Sequence, residues 1–487
     1  MLFNSVLFIM VFLPLTLLGW FGLQRLENPR YAKLFLFGMS LWFYGYYNPW
    51  YLLVLLGSLG INYICSLLLQ KYDGGRIAGC ILAAGLILNV GLLFYFKYFN
   101  FFLDNCNFFF HTDWHLEKIA LPLGISFFTF QQISFLVDRY QKQAPHYSFM
   151  DYACFITFFP QLIAGPIVLH NEFIPTLQAR QNRRPDAANM LNGFSLFILG
   201  LGKKVLLADV LAIIVNAEYG NIAYLDAPSA WLTIIFYMLE LYFDFSGYCD
   251  MARGIGRMFG FPLPENFDSP LRAVSVADFW RRWHMTLSRF LSNYIYIPLG
   301  GNRKGTAIKC RNILIVFAVS GLWHGANWTF VVWGLLHGLA RVFETLFPKF
   351  RFRRDFFNRL ATFLFVTLTF GIFRSDSLQQ AWLLFTKLFA GGNNGFIVGL
   401  CNTLQITELY AVRKALELAF PTLLNPFYVL CTFGLLILSI ALIRGPKAEQ
   451  WISRRGRTSL GIFVLATLFT WSLISLSKVS TFLYFNF

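Results

Sequence analysis

The sequence predicts an all-α protein that crosses a membrane many times. Of its 487 residues, 57% are hydrophobic and only 13% are charged, and the mean hydropathy is +0.56. Apolar runs of about 18 residues or more recur along the whole chain, which is the length that a helix needs to cross a bilayer. The runs are continuous rather than alternating, which argues against a membrane barrel of strands. This composition excludes a soluble protein of this size.

Positive charge is concentrated in short loops between the apolar runs. The formal net charge is +16, and the most basic loops are residues 300–311, 348–359 and 444–457. Such loops mark the cytoplasmic side of a membrane protein and face anionic headgroups. The lipid bilayer is therefore the expected partner of this charge. Nucleic acid is not expected, because the sequence holds no basic motif interleaved with aromatic residues.

The apolar segments between these loops predict about twelve transmembrane helices in one integral membrane domain over residues 1–487, with a core at about 118–347. With the basic loops in the cytoplasm, both termini fall outside the cell. The predicted spans are 4–24, 34–48, 50–70, 77–98, 118–137, 189–213, 229–246, 310–327, 328–347, 359–375, 427–444 and 460–477. Residues 376–426 fall outside by the same parity and contain two amphipathic stretches, so they are predicted to lie on the outer interface or to bind a partner.

Two further apolar segments break the alternation of sides if they cross the membrane. They are residues 151–168, which contain Pro160, and residues 277–301, which contain Pro298. Irregular backbone at membrane depth is tolerated only inside protein or beside a water-filled cavity. Both segments are therefore predicted to be re-entrant or interfacial helices around a cavity that opens to the cytoplasm.

One histidine lies deep in a predicted span, within the stretch GLWHGANW at 321–328. Span 310–327 starts at a basic loop, so a rise of 1.5 Å per residue carries His324 about 20 Å into a core of about 30 Å. An ionisable residue at that depth is a functional-site hypothesis. A catalytic base, a metal ligand, a proton relay and a packing residue are the alternatives. Gly321 and Gly325 beside it are expected to leave room for a substrate chain.

A second histidine lies in the polar segment FWRRWHMTLSRF at 279–290. Helical spacing predicts that Arg281, His284 and Ser288 share one face. An interfacial helix with tryptophan anchors accounts for the arginines but not for the histidine. A metal site is not expected, because only His284 and His324 are good ligand candidates and zinc needs three or four.

Two carboxylates lie near the predicted end of span 229–246, in YFDFSGYCDMARGIGR. Asp244 and Asp250 are expected to form ion pairs with Arg253, Arg257 or the arginines of 279–290, because an unpaired buried charge costs several kcal/mol. Helix capping and packing are as compatible with this cluster as a catalytic role.

Together these segments resemble the membrane-bound O-acyltransferase family, and most of all its bacterial alginate O-acetyltransferase subgroup. The resemblance is carried by FWRRWHMTLSRF followed by YIPLGGNRKG, by GLWHGANWTFVVWGLLHG, and by LPLGISFFTFQQISFLVDRY, FFPQLIAGPI and DFSGYCDMARGIGRMFGFPLPENF upstream. It extends over essentially the whole chain. It implies a helical bundle around a transmembrane tunnel, with His324 matching the family's essential histidine and His284 its second histidine.

The resemblance implies transfer of an acyl group, most simply acetyl, from a thioester donor to a hydroxyl. A neutral imidazole accepts the proton of the attacking hydroxyl, so His324 is expected to be the general base. His284 is expected to orient the substrate or to donate to the oxyanion, as are Asn327, Trp323 and Trp328. The other residues expected along the tunnel are Trp280, Trp283, Arg281, Arg282, Ser288, Ser246, Asp250 and Gln161.

The same resemblance implies partners on both sides of a bacterial cell membrane. The donor is acetyl-CoA or an acylated carrier protein, docking at Arg303 and Lys304, and no bound cofactor is expected. The acceptor is a polysaccharide, peptidoglycan, cellulose or, for D-alanyl transfer, teichoic acid, reached through a separate esterase-like protein outside the cell. The alternatives are a transporter or flippase with a histidine proton relay, although no internal repeat supports it, and a structural membrane subunit.

Overall fold

The computed structural model describes residues 1–114, 120–179, 184–391, 396–404, 406–477 and 482–483. Within these ranges the chain is helical, and its one extended pairing is an isolated bridge between Phe267 and Trp283. The predicted all-α class is confirmed. The start of predicted span 118–137 and residues 392–395 and 405 of the predicted insert lie outside the described residues.

The helices of the first half of the chain are α1 (Phe8–Leu23), α2 (Arg30–Gly45), α3 (Trp50–Lys71), α4 (Gly75–Phe110), α5 (Ile125–Tyr140), α6 (Phe149–Thr157), α7 (Phe159–Leu162), α8 (His170–Gln178), α9 (Ala187–Gly202), α10 (Asp209–Tyr219) and α11 (Ala227–Met258). Those of the second half are α12 (Val276–Arg282), α13 (Met285–Leu291), α14 (Gly305–His324), α15 (Trp328–Leu346), α16 (Asp355–Arg374), α17 (Leu378–Lys387), α18 (Phe396–Thr403), α19 (Tyr410–Ala419), α20 (Leu424–Arg444), α21 (Ala448–Arg455) and α22 (Ser459–Ile474).

Five helices among the described residues are long and apolar enough to cross a membrane. They are α3, α4, α14, α16 and the segment Pro421–Arg444 that contains α20, while α1 and α22 are apolar but shorter. The polytopic membrane class is therefore confirmed. The total of about twelve crossings and the outer position of both termini and of the 376–426 insert remain predictions.

Two predicted spans end too early. The span predicted at 77–98 continues to Phe110, through a π-helical turn at Phe94–Tyr98. The span predicted at 229–246 continues to Met258, which makes α11 a helix of 32 residues. The acidic cluster of Asp244 and Asp250 therefore lies inside a helix rather than at its end. The polar residues were interpreted as the end of the span because the sequence does not show that they have partners on another helix.

Those partners are two consecutive lysines in a π-helical turn, Lys203–Ala208, that joins α9 to α10. The ammonium of Lys204 lies 2.5 Å from Asp244 and that of Lys203 lies 2.6 Å from Asp250. Arg253 lies 3.8 Å from Asp250. The expectation that both carboxylates are paired is confirmed, but of the predicted arginine partners, all within the described ranges, only Arg253 pairs with either of them, and the closest partners are lysines. The wider π turn lets two adjacent side chains reach α11.

Glycines hold α9 and α11 at backbone contact. A Cβ atom on Gly200 would lie 2.6 Å from the carbonyl oxygen of Gly247, and one on Gly254 would lie 2.5 Å from that of Gly193. The two pairs are seven residues apart on each helix, so both fall on the same seam. In a membrane the hydrophobic effect does not drive helices together, so association depends on close packing, which small residues allow. This seam fixes α11, and with it the core beside the histidines.

The two segments predicted to be broken are broken. Residues 151–168 form α6 and the single turn α7, separated at Phe158, which has extended ψ of 109°. Residues 277–301 form α12, α13 and a π turn at Ser292–Tyr296. Helices of four to nine residues are too short to cross a core that needs about 20. Their position as re-entrant elements remains a prediction.

Substituting Gly200→Ala should lower the thermal midpoint of the detergent-solubilised protein, because overpacking against a backbone costs about 1–3 kcal/mol. Gly79→Ala is the matched control, since a Cβ there meets no atom within 4 Å. Intrinsic-fluorescence melting measures both. Equal midpoints for the two variants would show that the α9–α11 seam does not limit stability.

Candidate active site

His324 is the last residue of α14, and it is enclosed by aromatic rings. Its imidazole centroid lies 4.9 Å from that of Trp323, 5.1 Å from Trp333 and 5.3 Å from Phe373, all at steep angles. Only 4% of the residue is exposed. Rings on three sides restrict the orientation of the imidazole and cover most of its surface.

The glycines beside His324 pack helices instead of leaving space. A Cβ atom on Gly321 would overlap the carbonyl oxygen of Phe330, and one on Gly325 would overlap the ring of the same residue. Gly321 also faces Gly334 across the α14–α15 contact. The expectation that these glycines leave room for a substrate chain is therefore wrong. The room is taken by α15, which folds back directly after the histidine.

His284 lies at a break between two short helices, with left-handed φ of 46° and ψ of 52°. The predicted continuous helix, with Arg281, His284 and Ser288 on one face, is therefore wrong. The backbone leaves the helix because Phe267 and Trp283 form a bridge, and Asp268 N–H donates to the Arg282 carbonyl at 2.9 Å. These partners are remote in sequence, so local periodicity carried no sign of them.

Asn266 organises the break. Its side-chain oxygen lies 3.2 Å from Nδ1 of His284 and accepts from the amide and hydroxyl of Thr286 at 3.1 and 2.9 Å. Since Oδ1 only accepts, Nδ1 of a neutral His284 carries the hydrogen and Nε2 carries the lone pair. This tautomer suits a residue that accepts or orients a proton better than one that donates to an oxyanion.

The two broken segments support one another. The amide of Ile167, in the extended stretch after α7, donates to Thr286 at 3.0 Å. Arg289 binds both carboxylate oxygens of Glu172, at 2.5 and 2.9 Å, and donates to the Ile167 carbonyl at 3.1 Å. A bidentate pair of this kind fixes orientation as well as distance. The irregular backbone that carries His284 is thus held by the other irregular segment.

Trp323 joins the two histidines. Its indole centroid lies 6.0 Å from the ring of His284 and 4.9 Å from that of His324. The rings of Phe127 and Phe130 cover the indole at 5.5 and 5.3 Å. The two histidines, 40 positions apart in sequence, therefore share one aromatic core.

A cavity of about 70 Å³ lies beside His324 and Trp323. Its other walls come from α4, from the start of α5 and from the stretch after α7, and include Lys97, Ser126 and Ile163. A water occupies about 30 Å³ in the liquid, so the cavity holds a few waters or a group of a few heavy atoms. His284 is not among the lining residues, so the two histidines meet the shared indole from different directions.

Two predicted hydrogen-bond donors are engaged elsewhere. Asn327 caps α15 through Thr329 N–H and donates to the Asp376 carbonyl at 2.8 Å. Trp328 is 48% exposed, and its indole donates to Asn105 at 2.9 Å. Of the three predicted indole and amide donors, only Trp323 borders the cavity.

The aromatic residues of the 279–290 segment form packing contacts. Trp280 donates to Nδ1 of His337 at 3.2 Å, and Nε2 of His337 lies 2.9 Å from the hydroxyl of Thr369. His337 is therefore a satisfied core histidine, as its neighbours WGLLHGLAR indicate. Trp283 stacks on Phe279 at 5.4 Å.

The other predicted tunnel residues lie away from the cavity lining. Arg282 pairs with Asp278 at 2.9 Å, Ser288 donates to the Trp280 carbonyl at 3.2 Å, and Arg281 is exposed. Gln161 donates to the Phe155 carbonyl within its own segment. Ser246 is buried in α11, as is Asp250, which pairs with Lys203.

Sequence reasoning missed Lys97 and Asn266. Lys97 stands in the apolar run FYFKYFNFF, and the rule that singled out His324 applies equally to a lysine in a predicted span. Asn266 lies in a loop and gave no signal. Among the described residues, no three His, Cys, Asp or Glu side chains come together as a metal site needs.

The chain thus has helices around two broken segments and two buried histidines on one indole. Residues 83–364 match the model of MBOAT, the membrane-bound O-acyltransferase family, and the chain belongs to this family. The resemblance seen in the sequence is thereby confirmed. The protein is a multi-pass membrane O-acyltransferase, which sets aside the transporter and the structural subunit.

Individual relatives come from bacteria. A peptidoglycan O-acetyltransferase of Helicobacter pylori is 40% identical over 527 aligned positions, covering 100% of this chain and 98% of the relative. A probable alginate O-acetylase of Pseudomonas aeruginosa is 36% identical over 446 positions, 89% of this chain and 82% of the relative. A teichoic acid D-alanyltransferase of Bacillus subtilis is 26% identical over 270 positions, 51% of this chain and 65% of the relative.

Substituting Asn266→Ala should lower the rate of acyl transfer at least about tenfold, because His284 loses the acceptor that fixes its tautomer and buried donors are left unpaired. Asn89→Ala is the control, since Asn89 is an equally buried amide that pairs with Asn62. Both variants should lose stability. Radiolabelled transfer per folded protein separates them, and equal rates would leave Asn266 with a structural role only.

Proposed function

We propose that this chain moves an acetyl group from a cytoplasmic thioester donor through the bacterial cell membrane to a hydroxyl of an extracytoplasmic cell-wall polysaccharide. A separate esterase-like protein outside the cell receives the group and completes the transfer. The observation that carries this proposal is the pairing of His284 and His324 on the indole of Trp323, with a cavity beside His324 alone.

His324 acts as the general base in this proposal. Its imidazole takes the proton of the attacking hydroxyl while the hydroxyl oxygen bonds to the acyl carbonyl carbon. The surrounding rings lower the polarity around His324, which strengthens hydrogen bonds to the developing oxyanion. His284 acts through Trp323, because its ring contacts the indole that borders the cavity but does not line the cavity itself.

The route across the membrane is supported by the predicted side of the loops that adjoin the His284 segment and the His324 cavity. The segment that carries His284 leads into the basic loop 300–311, which charge parity predicts to be cytoplasmic. The cavity beside His324 is lined by residues 121–127, which follow a loop that the same parity predicts to be outside. α14 has 20 residues and a length of about 30 Å, enough to link the two sides. Donor and acceptor thus approach from opposite faces.

The acceptor is proposed from the relatives. The peptidoglycan O-acetyltransferase aligns over 100% of this chain and the probable alginate O-acetylase over 89%. The D-alanyltransferase aligns over only 51%. Coverage and identity therefore favour acetylation of peptidoglycan or of an alginate-like polysaccharide over D-alanylation of teichoic acid. The cavity of about 70 Å³ suits a short acyl group.

Two basic surfaces are available for an anionic donor, either acetyl-CoA or an acylated carrier protein. Arg303 and Lys304 are exposed on the turn before α14, and no carboxylate among the described residues pairs with them. A cleft of about 240 Å³ is lined by further basic side chains, from Arg272, Arg282, Arg359 and Lys447. Lys447 in that cleft is already held by Asp268 at 2.7 Å. The unpaired turn is therefore the preferred docking surface.

Substituting His324→Ala should abolish transfer of radiolabel from the acetyl donor to the partner or polysaccharide, by about 100-fold or more, since the general base is removed. His337→Gln is the control, because it changes a buried histidine that packs near the site but does not line the cavity. Membrane insertion should survive in both, and transfer is compared per folded protein. Full transfer by the His324 variant would refute the catalytic assignment.

Reversing the charge of the turn, with Arg303→Glu and Lys304→Glu together, should raise the donor KM about tenfold and leave kcat nearly unchanged, because only docking is weakened. Arg351→Glu, in another exposed basic loop, serves as the control. Steady-state kinetics with acetyl-CoA and with an acetylated carrier protein would also identify the donor. An unchanged KM for both donors would remove this turn from the docking surface.

A further inference from the structure

A buried lysine forms part of the wall of the cavity beside His324. Lys97 lies in the π-helical turn Phe94–Tyr98, which interrupts the 36-residue helix α4. Such turns are uncommon and are often found at functional sites, because the widened turn re-aims its side chains. An ammonium at membrane depth is costly and needs strong partners. The contacts of Lys97 therefore need to be identified.

The partners of Lys97 are the last carbonyl groups of α14. Its ammonium donates to the carbonyl oxygens of Trp323 at 2.6 Å and of His324 at 3.0 Å, and lies 5.9 Å from the indole centroid of Trp323. The end of a helix carries partial negative charge and unpaired carbonyls, which a cation stabilises. No carboxylate in the described ranges forms an ion pair with Lys97. Its positive charge is therefore offset only by partial charges.

An ammonium has three protons to donate, and the two carbonyls account for two of them. Lys97 and His324 line the same cavity. An acyl group bound there meets a base on one wall and a cation on another. Without a carboxylate to neutralise it, that cation would stabilise any negative charge that developed inside the cavity.

We propose that Lys97 is a further catalytic residue, whose third N–H donates to the carbonyl oxygen of the acyl group held beside His324. This assignment rests on the proposed acyl transfer. The acceptor hydroxyl oxygen bonds to the carbonyl carbon, its proton passes to His324, and the carbonyl electron pair moves onto oxygen next to the ammonium. As the oxyanion collapses, the carbon–sulfur bond breaks and the thiolate takes the proton from His324. Lys97 keeps its own proton throughout.

A purely structural role, holding the end of α14, predicts a different pattern. The neighbouring residue Tyr98 offers the matched comparison, because its hydroxyl donates to the Leu322 carbonyl at 2.8 Å, in the same last turn of α14. Tyr98 is not among the residues that line the cavity and carries no charge. Tyr98→Phe therefore loosens the helix end without removing a cation.

The test compares Lys97→Met, Lys97→Gln and Tyr98→Phe with the unaltered protein in liposomes, with its partner and acceptor, using acetyl-CoA or the acetylated carrier that it accepts. Both lysine variants should lower kcat about 100-fold with KM changed less than about threefold, as loss of an oxyanion donor does. Tyr98→Phe should stay within about threefold of the unaltered rate. Lys97→Gln retains donors for the α14 carbonyls, so it keeps the comparison valid if Lys97→Met does not fold.

A second readout uses the fluoroacetyl analogue of the donor, whose electron-poor carbonyl needs less stabilisation of its oxyanion. The deficit of the lysine variants should shrink about tenfold with this donor. Deficits that match Tyr98→Phe, or that are equal for both donors, would overturn the catalytic role of Lys97. Absence of transfer by the unaltered protein would instead overturn the proposed function itself.

Discussion

Non-helical backbone inside a membrane must find its hydrogen-bond partners within the protein, and this constraint shapes the site. The break that carries His284 is possible because Asn266 accepts from both the histidine ring and Thr286, and Thr286 accepts from Ile167 of the other broken segment. Arg289 then joins the two segments by donating to the Ile167 carbonyl, and it also pairs with Glu172 of α8. Without this network the polar groups of the broken backbone would be buried and unpaired, which is costly.

The same network brings the two histidines to one indole. Trp323 is rigid because Phe127 and Phe130 cover it and because the end of α14 is held by Lys97. The transfer proposed above, between a donor and an acceptor from opposite sides, would need a fixed meeting point, since misplacement by about 1 Å can cost about 100-fold in rate. Aromatic packing provides that rigidity without adding polar groups that hydrocarbon would penalise.

Patterns confined to one segment were predicted well. Helix class and the limits of most spans follow from apolar length, and the two broken segments follow from proline, glycine and charge parity. Errors arose where a distant partner decides the local structure. Asp244 and Asp250 lie within α11 because Lys203 and Lys204 neutralise them, and Gly321 faces a returning helix rather than an open space. In the first case the sequence interpretation assumed that the carboxylates lie at a helix end, and in the second it assumed an empty space, because the contacting residues are distant in sequence.

The sequence by itself determined the membrane class, the family, and the two histidines as the residues to consider, because each of these is recorded in composition or in contiguous motifs. Only the tertiary structure decided how those histidines are positioned. It placed His284 at a break fixed by Asn266, assigned Asn327 to a helix cap, and brought Lys97 from 226 positions away to the carbonyls beside His324. The physical reason is that a buried charge or an irregular turn is stable only with its partners, and those partners lie on other helices.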